Sequence, residues 1–423
     1  MPASELEDVP ARSCHCRLTN NRQDHGVTIA ETRGQRLATT LRQTERVTPL
    51  ELFFDLVFVL ALTQCTALMA AEPTWTGLGK GLLVLGVLWW SWVGYAWLTS
   101  AVDPEEGAIR LVMFAAMAAL LVVSLCVPGA FGDDALLFAC AYAIVRGAHI
   151  ALFFLASRGN PAFRQSVVGL SMSTAVGVTL LFAASGMDGW VQGALWALAL
   201  LLDMGGPYLF GSEGWSFEHP GHFAERHGLI IIIALGESIV AIGVGAGAEV
   251  DAGVVAAATL GIVVAAAIWW LYFDVVALLS ERDLVSLPAG RERNELARDD
   301  YSYLHFPMVA GIVLGALGLK KTIADVGGEL DVVAASAMLG GTALYVLAHV
   351  AHRLRNVGTV SYDRLLCAGV ALSLIPVAVE LPALLSLLIL AVLLWILIGL
   401  EALRYTGSRG RAQQALAEAG SRH

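Results

Sequence analysis

A carboxylate, an arginine and two histidines stand inside stretches otherwise made of Leu, Ile, Val, Ala and Gly. They are Glu237, Arg146, His149 and His349. Glu237 sits in IIIIALGESIVAIGVG, twelve residues after Glu225. At 1.5 Å per residue that is about 18 Å into a hydrocarbon layer of about 30 Å. A carboxyl at such depth costs several kcal/mol unless it is paired, protonated or wet, which marks it as a working part. Arg146 would be as expensive alone, and pairing across a helix interface makes both tolerable. A Glu237–Arg146 pair is therefore expected, with His149 and His349 beside it and Thr63 and Gln64 at comparable depth. Imidazoles near neutrality can share a proton with a carboxylate, so the set suits a proton, ion or substrate pathway. A static salt bridge that fixes helix packing uses the same residues, and both readings stand.

A second set lies nearer one end of the same stretches. Glu51 and Asp55 are four residues apart and share a helix face. They need cations, and Arg226 and His227 enter their stretch at the same level, next to Glu225. Asp274 and His352 fall near the corresponding ends of theirs. The set reads as a vestibule of alternating charge on the cytoplasmic side, or as residues balancing one another at the headgroup boundary. Trp89, Trp90, Trp92, Tyr95 and Trp97 can line a site for an organic ligand or form an interfacial belt with packing knobs.

The elements that position these residues follow from composition. With 57% hydrophobic and 15% charged residues over 423 positions, the chain cannot hide its apolar surface inside one water-soluble globule. It reads as an all-α polytopic membrane protein. Twelve apolar stretches of helical length occur at about 50–71, 81–99, 109–127, 135–156, 165–184, 190–208, 227–246, 253–279, 301–320, 332–352, 362–379 and 382–403. Glycines at 236 and 243–247 make the seventh thin, and Met204-Gly205-Gly206-Pro207 is expected to break the sixth.

The chain can be laid over itself in two halves. Trp89-Trp90 answers Trp269-Trp270, Tyr142 and His149 answer Tyr345 and His352 at the same spacing, and Asp203 and Glu401 close the sixth stretch of each half. Two parallel six-helix repeats are expected, 47–208 and 227–404, joined by a cytoplasmic linker loop at 209–226. Residues 1–46 are polar, Arg-rich and read as a disordered cytoplasmic tail, and 405–423 as a second tail. Basic residues gather in the tails, the Arg282–Arg298 loop and at Arg353 and Arg355. That places both termini in the cytoplasm.

The net charge of −10 is scattered and indicates no nucleic-acid partner; the partners expected are the lipid bilayer and a small solute or proton. Cys14-His15-Cys16 and the group His219, His222, Glu225 and His227 lack a metal-binding arrangement, so no metal and no cofactor are expected. No Walker A, dinucleotide or GxSxG motif stands in a credible context, and the chain reads as a non-enzyme.

Three segments carry a resemblance: VTPLELFFDLVFVLALTQ at 47–64, HFAERHGLIIIIALGESIVAIG at 222–243 and WWLYFD at 269–274. They are similar to the signatures of the bacterial low-temperature-requirement A (LtrA) family, from about residue 40 to 405. The resemblance implies a multi-pass inner-membrane protein named for growth in the cold, and carries no reaction with it. FFDLVF resembles more distantly the FSD-type first helix of a potassium-channel family built from six-helix repeats. It departs by Phe54 in place of Ser and by the absence of FSD from the seventh stretch. Two functions follow as expectations. One is a proton-coupled secondary transporter or ion pathway; the alternative is a non-transporting lipid-interacting, sensory or scaffold component that supports growth in the cold.

Overall fold

The computed structural model describes residues 46–105, 107–210, 214–215, 219–246 and 250–420, the last sixteen by backbone only. The amino-terminal tail with Cys14-His15-Cys16, most of the 211–218 loop and the side chains of the second tail lie outside the described residues.

Twelve helical segments follow one another: α1 Pro49–Ala71, α2 Trp75–Ala101, α3 Gly107–Cys126, α4 Ala135–Ala156, α5 Pro161–Ala184, α6 Gly189–Leu209, α7 Pro220–Gly245, α8 Ala252–Ser286, α9 Arg291–Ala324, α10 Val332–Val357, α11 Tyr362–Ser373 and α12 Ala383–Gly420. Apart from one bridge between Glu329 and Pro382, no strand occurs among the described residues. Ten of the twelve are long and apolar enough to cross a membrane; α6 and α11 are not. The twelve expected spans are reduced to ten by polarity and by a break. Gln192 and Asp203 lower the apolarity of α6, and α11 stops at Ser373 just before Pro376, which has no N–H to continue a ladder.

Local chemistry sets the ends. Thr48 caps α1 and its backbone N–H donates to the Glu51 carboxylate at 2.8 Å, a capping box followed by Pro49 in the first turn. Asn160 caps α5 and Asp251 caps α8, and Gly358 closes α10 with φ of 68°. α7 starts at Pro220, well before the apolar run, so His222 and Arg226 are helical residues and the expected linker loop is shorter than 209–226. α6 is not broken at 204–207. It runs through Pro207 to Leu209, because a proline in the last turn costs only one ladder bond. Gly236 and Gly243 face open space; in α7 it is Gly245 that meets a backbone, 2.9 Å from the Lys320 carbonyl for an added Cβ.

The outside is apolar: Leu52, Phe53, Leu56, Leu111, Leu136 and Leu201 are exposed while Glu51, Asp55, Arg146 and Arg226 are buried. That inversion suits a lipid solvent. Glycine brings two helices into backbone contact, since a Cβ on Gly318 of α9 would lie 2.4 Å from Cβ of Met338 on α10. Within the first six segments α1 packs on α3, α3 on α4, α4 on α5, α5 on α6 and α6 on α2. In the second six, α7 packs on α9, α9 on α10, α10 on α11, α11 on α12 and α12 on α8; α1 and α7 join the two sets. Three π-helical turns interrupt α8, α9 and α10, at Tyr272–Val276, Ala297–Tyr303 and Ser336–Gly340.

Candidate functional site: a buried charge and imidazole network

Two helix faces, each built by residues four apart, close on one another at the start of α1 and α7. Glu51 and Asp55 come from α1, His222 and Arg226 from α7, and none is more than 1% exposed. The Arg226 guanidinium donates to Glu51 Oε1 at 3.1 Å, Asp55 Oδ1 at 2.6 Å and Thr99 Oγ1 at 3.0 Å. His222 Nε2 lies 3.0 Å from Glu51 Oε1, and its Nδ1 3.2 Å from Ser100 Oγ. The Trp92 indole donates to Asp55 Oδ1 at 2.9 Å and stands 5.6 Å beneath the guanidinium. Asp55 Oδ2 has no hydrogen-bond partner among the described residues. The Glu51 carboxylate thus caps its own helix and pairs with another. With His222 protonated the four groups sum to zero; with it neutral they carry one negative charge.

An imidazole layer continues from this cluster. The His227 ring stands 5.0 Å from Trp92, 5.1 Å from Tyr301 and 5.3 Å from His305. His227 Nδ1 faces the Phe223 carbonyl at 2.9 Å, and His305 Nδ1 the Asp300 carbonyl at 2.9 Å. A carbonyl only accepts, so both nitrogens carry hydrogen, and a neutral His305 accepts through Nε2 from the Tyr272 hydroxyl at 2.8 Å. The Asp300 carboxylate pairs with His352 Nδ1, whose Nε2 meets Ser280 Oγ at 3.0 Å. Ser280 also faces the Val276 carbonyl at 2.8 Å, and its single proton serves one neighbour at a time. The Asn356 side-chain amide stands 3.4 Å from the same His352 Nε2 and donates there when the Ser280 proton goes to Val276. Tyr272 and Asp300 each sit in a π turn, a distortion frequent at functional sites.

The expected Glu237–Arg146 pair does not form. Arg146 reaches both oxygens of Asp203 at 2.9 Å, Thr174 Oγ1 at 2.6 Å and the Trp90 carbonyl at 3.3 Å. Glu237, 2% exposed, accepts from Thr63 Oγ1 at 2.6 Å. The reason is adjacency. α4 packs against α2, α3 and α5, while α7 packs against α1, α2, α8 and α9, so the two helices share α2 as a neighbour without packing on each other, and equal depth does not bring the two charges together. For the same reason the first, fourth, seventh and tenth segments do not converge: α1 and α7 touch, while α10 packs on α9 and α11. His149 lies against Tyr95 and Phe153, and His349 against Tyr345 at 4.4 Å. Neither histidine has a hydrogen-bonded ring nitrogen among the described residues.

The remaining predicted residues scatter. Glu51, Asp55 and Arg226 meet, with His227 one ring away. Glu225 points away from them, accepts from the Val47 backbone N–H at 3.3 Å and lines a cleft with Glu281. Asp274 belongs to the π turn of α8, His352 joins Asp300, and Gln64 is half-buried one position past the residue that holds Glu237. The sequence places His222 in a loop, outside the charge cluster, and gives no signal for Asp300, His305 or Tyr272; no group of His, Cys, Asp or Glu able to hold a metal occurs among the described residues. It also missed a second buried bidentate pair, Arg364 to Glu401 at 2.7 and 2.9 Å, with Arg364 donating to the Leu271 carbonyl at 3.3 Å.

Comparison with known proteins agrees with the motifs that build the cluster. The chain is 28% identical over 370 residues, 84% of its length, to an uncharacterized protein of Rhizobium meliloti (strain 1021), of which the match covers 90%. No solved structure matches. The family model for the bacterial low temperature requirement A protein (LtrA) matches residues 46–399, which includes both strips of the α1–α7 junction, and the chain belongs to that family.

Proposed function

We propose that the protein is a proton-linked secondary carrier of the bacterial inner membrane, with both termini in the cytoplasm and two six-helix repeats as its moving parts. The observation that carries this reading is the buried α1–α7 junction. Asp55 offers one oxygen to Arg226 and Trp92 and has no partner for the other among the described residues, so a proton has a place to go. Protonation there removes one of the two negative charges that hold Arg226 and loosens the contact between the repeats. Loss of the proton restores it, and rocking of one six-helix unit against the other follows the same cycle.

Paired details favour the repeat. Tyr142 donates to the Val87 carbonyl on α2 and Tyr345 to the Ile268 carbonyl on α8. Arg146 joins Trp90 of α2 to Asp203 of α6, and Arg364 joins Leu271 of α8 to Glu401 of α12. The order of packing is also the same in each set of six. Buried ionisable groups between helices suit ion and proton pathways.

A second reading, a non-transporting membrane component that supports growth in the cold, draws on Glu51 and Arg226. Their contacts are those of a static lock. Purified protein in lipid vesicles loaded with a pH-sensitive dye separates the two. Gradients of a panel of amino acids, carboxylates, amines and sugars are applied in turn. Solute-dependent pH change through folded protein supports the carrier, and its absence with every solute supports the lock.

A further inference from the structure

A cleft of about 510 Å³ opens between α7 and α8, with Tyr301 of α9 in its wall. One end is acidic and the rest is apolar. Glu225 of α7 and Glu281 of α8 stand at that end, and Leu229, Ile232, Phe273 and Leu278 line the remainder, Ile232 lying about 10 Å further along α7 than Glu225. The two carboxylates are neighbours. Gly221 and Glu225 share a face of α7, an added Cβ on Gly221 would stand 3.9 Å from Glu281 Oε1, and Glu225 is close enough to Glu281 for the two charges to repel. Arg46 is the one basic residue that lines the cleft among the described residues, so two negative charges meet one positive. Deeper in, Tyr301 is 1% exposed and its hydroxyl has no hydrogen-bond partner among the described residues. That hydroxyl and the one on Tyr272, which also lines the cleft, lie within electrostatic reach of Glu281. A buried hydroxyl without a partner is costly, and a donor brought in by an occupant relieves it. A divalent metal is not that occupant, because it needs more ligands than two carboxylates and no group able to hold one occurs among the described residues.

We infer that the cleft binds a monovalent organic cation, an ammonium group carried on an apolar body. The ammonium sits between Glu225 and Glu281 and donates to the Tyr301 hydroxyl, while the body lies against Leu229, Ile232 and Phe273. The rings of Phe273 and Tyr301 add faces that attract a cation, and the volume is that of a small-molecule site. A free amine and the headgroup of an ammonium-bearing lipid offer the same chemistry, and the exposed Ile232 leaves the apolar side of the cleft open to either. The inference goes beyond the carrier reading and does not rest on it.

Binding is measured by equilibrium dialysis of radiolabelled 2-phenylethylammonium against the full chain in an uncharged detergent, with empty micelles as the blank. Saturable binding is expected, and unlabelled amine should displace the label at least tenfold better than phenylacetate or 2-phenylethanol, which are close to it in size. Glu225→Gln and Glu281→Gln are each expected to weaken binding at least tenfold, and Tyr301→Phe, which keeps the ring, at least threefold, with melting temperatures within a few degrees of wild type. Three variants guard against one failing to fold. Absence of saturable binding, equal displacement by phenylacetate, or binding unchanged in a folded variant overturns the site. A second arm adds phosphatidylethanolamine or phosphatidylglycerol to the micelles. Displacement of the label by the first alone supports a lipid headgroup as the occupant, and retention against both supports a free amine; displacement by both overturns recognition of the charge. The readout needs no flux, so folded protein that binds the amine and moves no proton leaves the site standing and removes the carrier.

Discussion

Arg226 on α7 reaches Asp55 on α1 at 2.6 Å with neither side chain more than 1% exposed, and the contact joins the first helix to the seventh. Its sequence origin is simple: Glu51 and Asp55 repeat at four, His222 and Arg226 repeat at four, and two such strips can interlock when their helices run side by side. A bilayer offers these groups no water, so each is tolerable only because of the others.

Arg226→Met leaves two buried carboxylates facing each other. It is expected to cost about 3–5 kcal/mol, read as a fall in melting temperature of detergent-solubilised protein. Adding Glu51→Gln and Asp55→Asn to the same chain should return part of the loss. An Arg226→Met protein that melts with the wild type would show that the contact carries no stability.

Arg146 and Asp203 form a unit of their own. Arg146→Met and Asp203→Asn are expected to be non-additive by about 0.5–3 kcal/mol, whereas Arg146→Met and Glu237→Gln should add within about 0.5 kcal/mol because they share no partner. Strong coupling between Arg146 and Glu237 would restore the pair that depth alone suggested.

That pair shows where sequence stops. The apolar stretches, the Thr48/Glu51 capping box and the four-residue spacing of charges are local and readable, and so are the start of α1 and the burial of its acids. Depth along a helix is local too, and it correctly put Arg146 and Glu237 inside the bundle. Which helix lies beside which is not local. α4 stands next to α2, α3 and α5, so Arg146 pairs with an acid on α6 that the sequence marks only as the close of its stretch. His222 was hidden because Pro220 and Gly221 read as loop, and yet Pro220 is well placed in a first helical turn. The π turns that set Tyr272 and Asp300 have no periodic signature of their own, and nothing in the spacing of Asp300, His305 and His352 announces their meeting.

Gly318 and Gly315 of α9 make a matched pair. Gly318→Ala drives a methyl against Met338 of α10 and is expected to cost about 1–3 kcal/mol, while Gly315→Ala meets nothing within 4 Å and should be close to neutral. Thermal melting of the two variants side by side checks the α9–α10 contact, and equal melting temperatures would refute it.

Glu237→Gln keeps an acceptor for Thr63 and is expected to cost no more than about 1 kcal/mol, while it removes a titratable group from the bundle. Under the carrier reading, proton flux in vesicles then falls although the fold persists. Full flux in the variant would take Glu237 out of the pathway.

The most direct measurement places wild-type protein and Asp55→Asn in vesicles with a pH-sensitive dye inside and records internal pH as solute gradients are applied. The wild type is expected to move protons with at least one solute, and the variant, shown to be folded by its melting curve, to move at least tenfold fewer. A folded variant with the same flux as wild type, or no solute-linked flux from folded wild type with the whole panel, would contradict the role given to the buried α1–α7 charges.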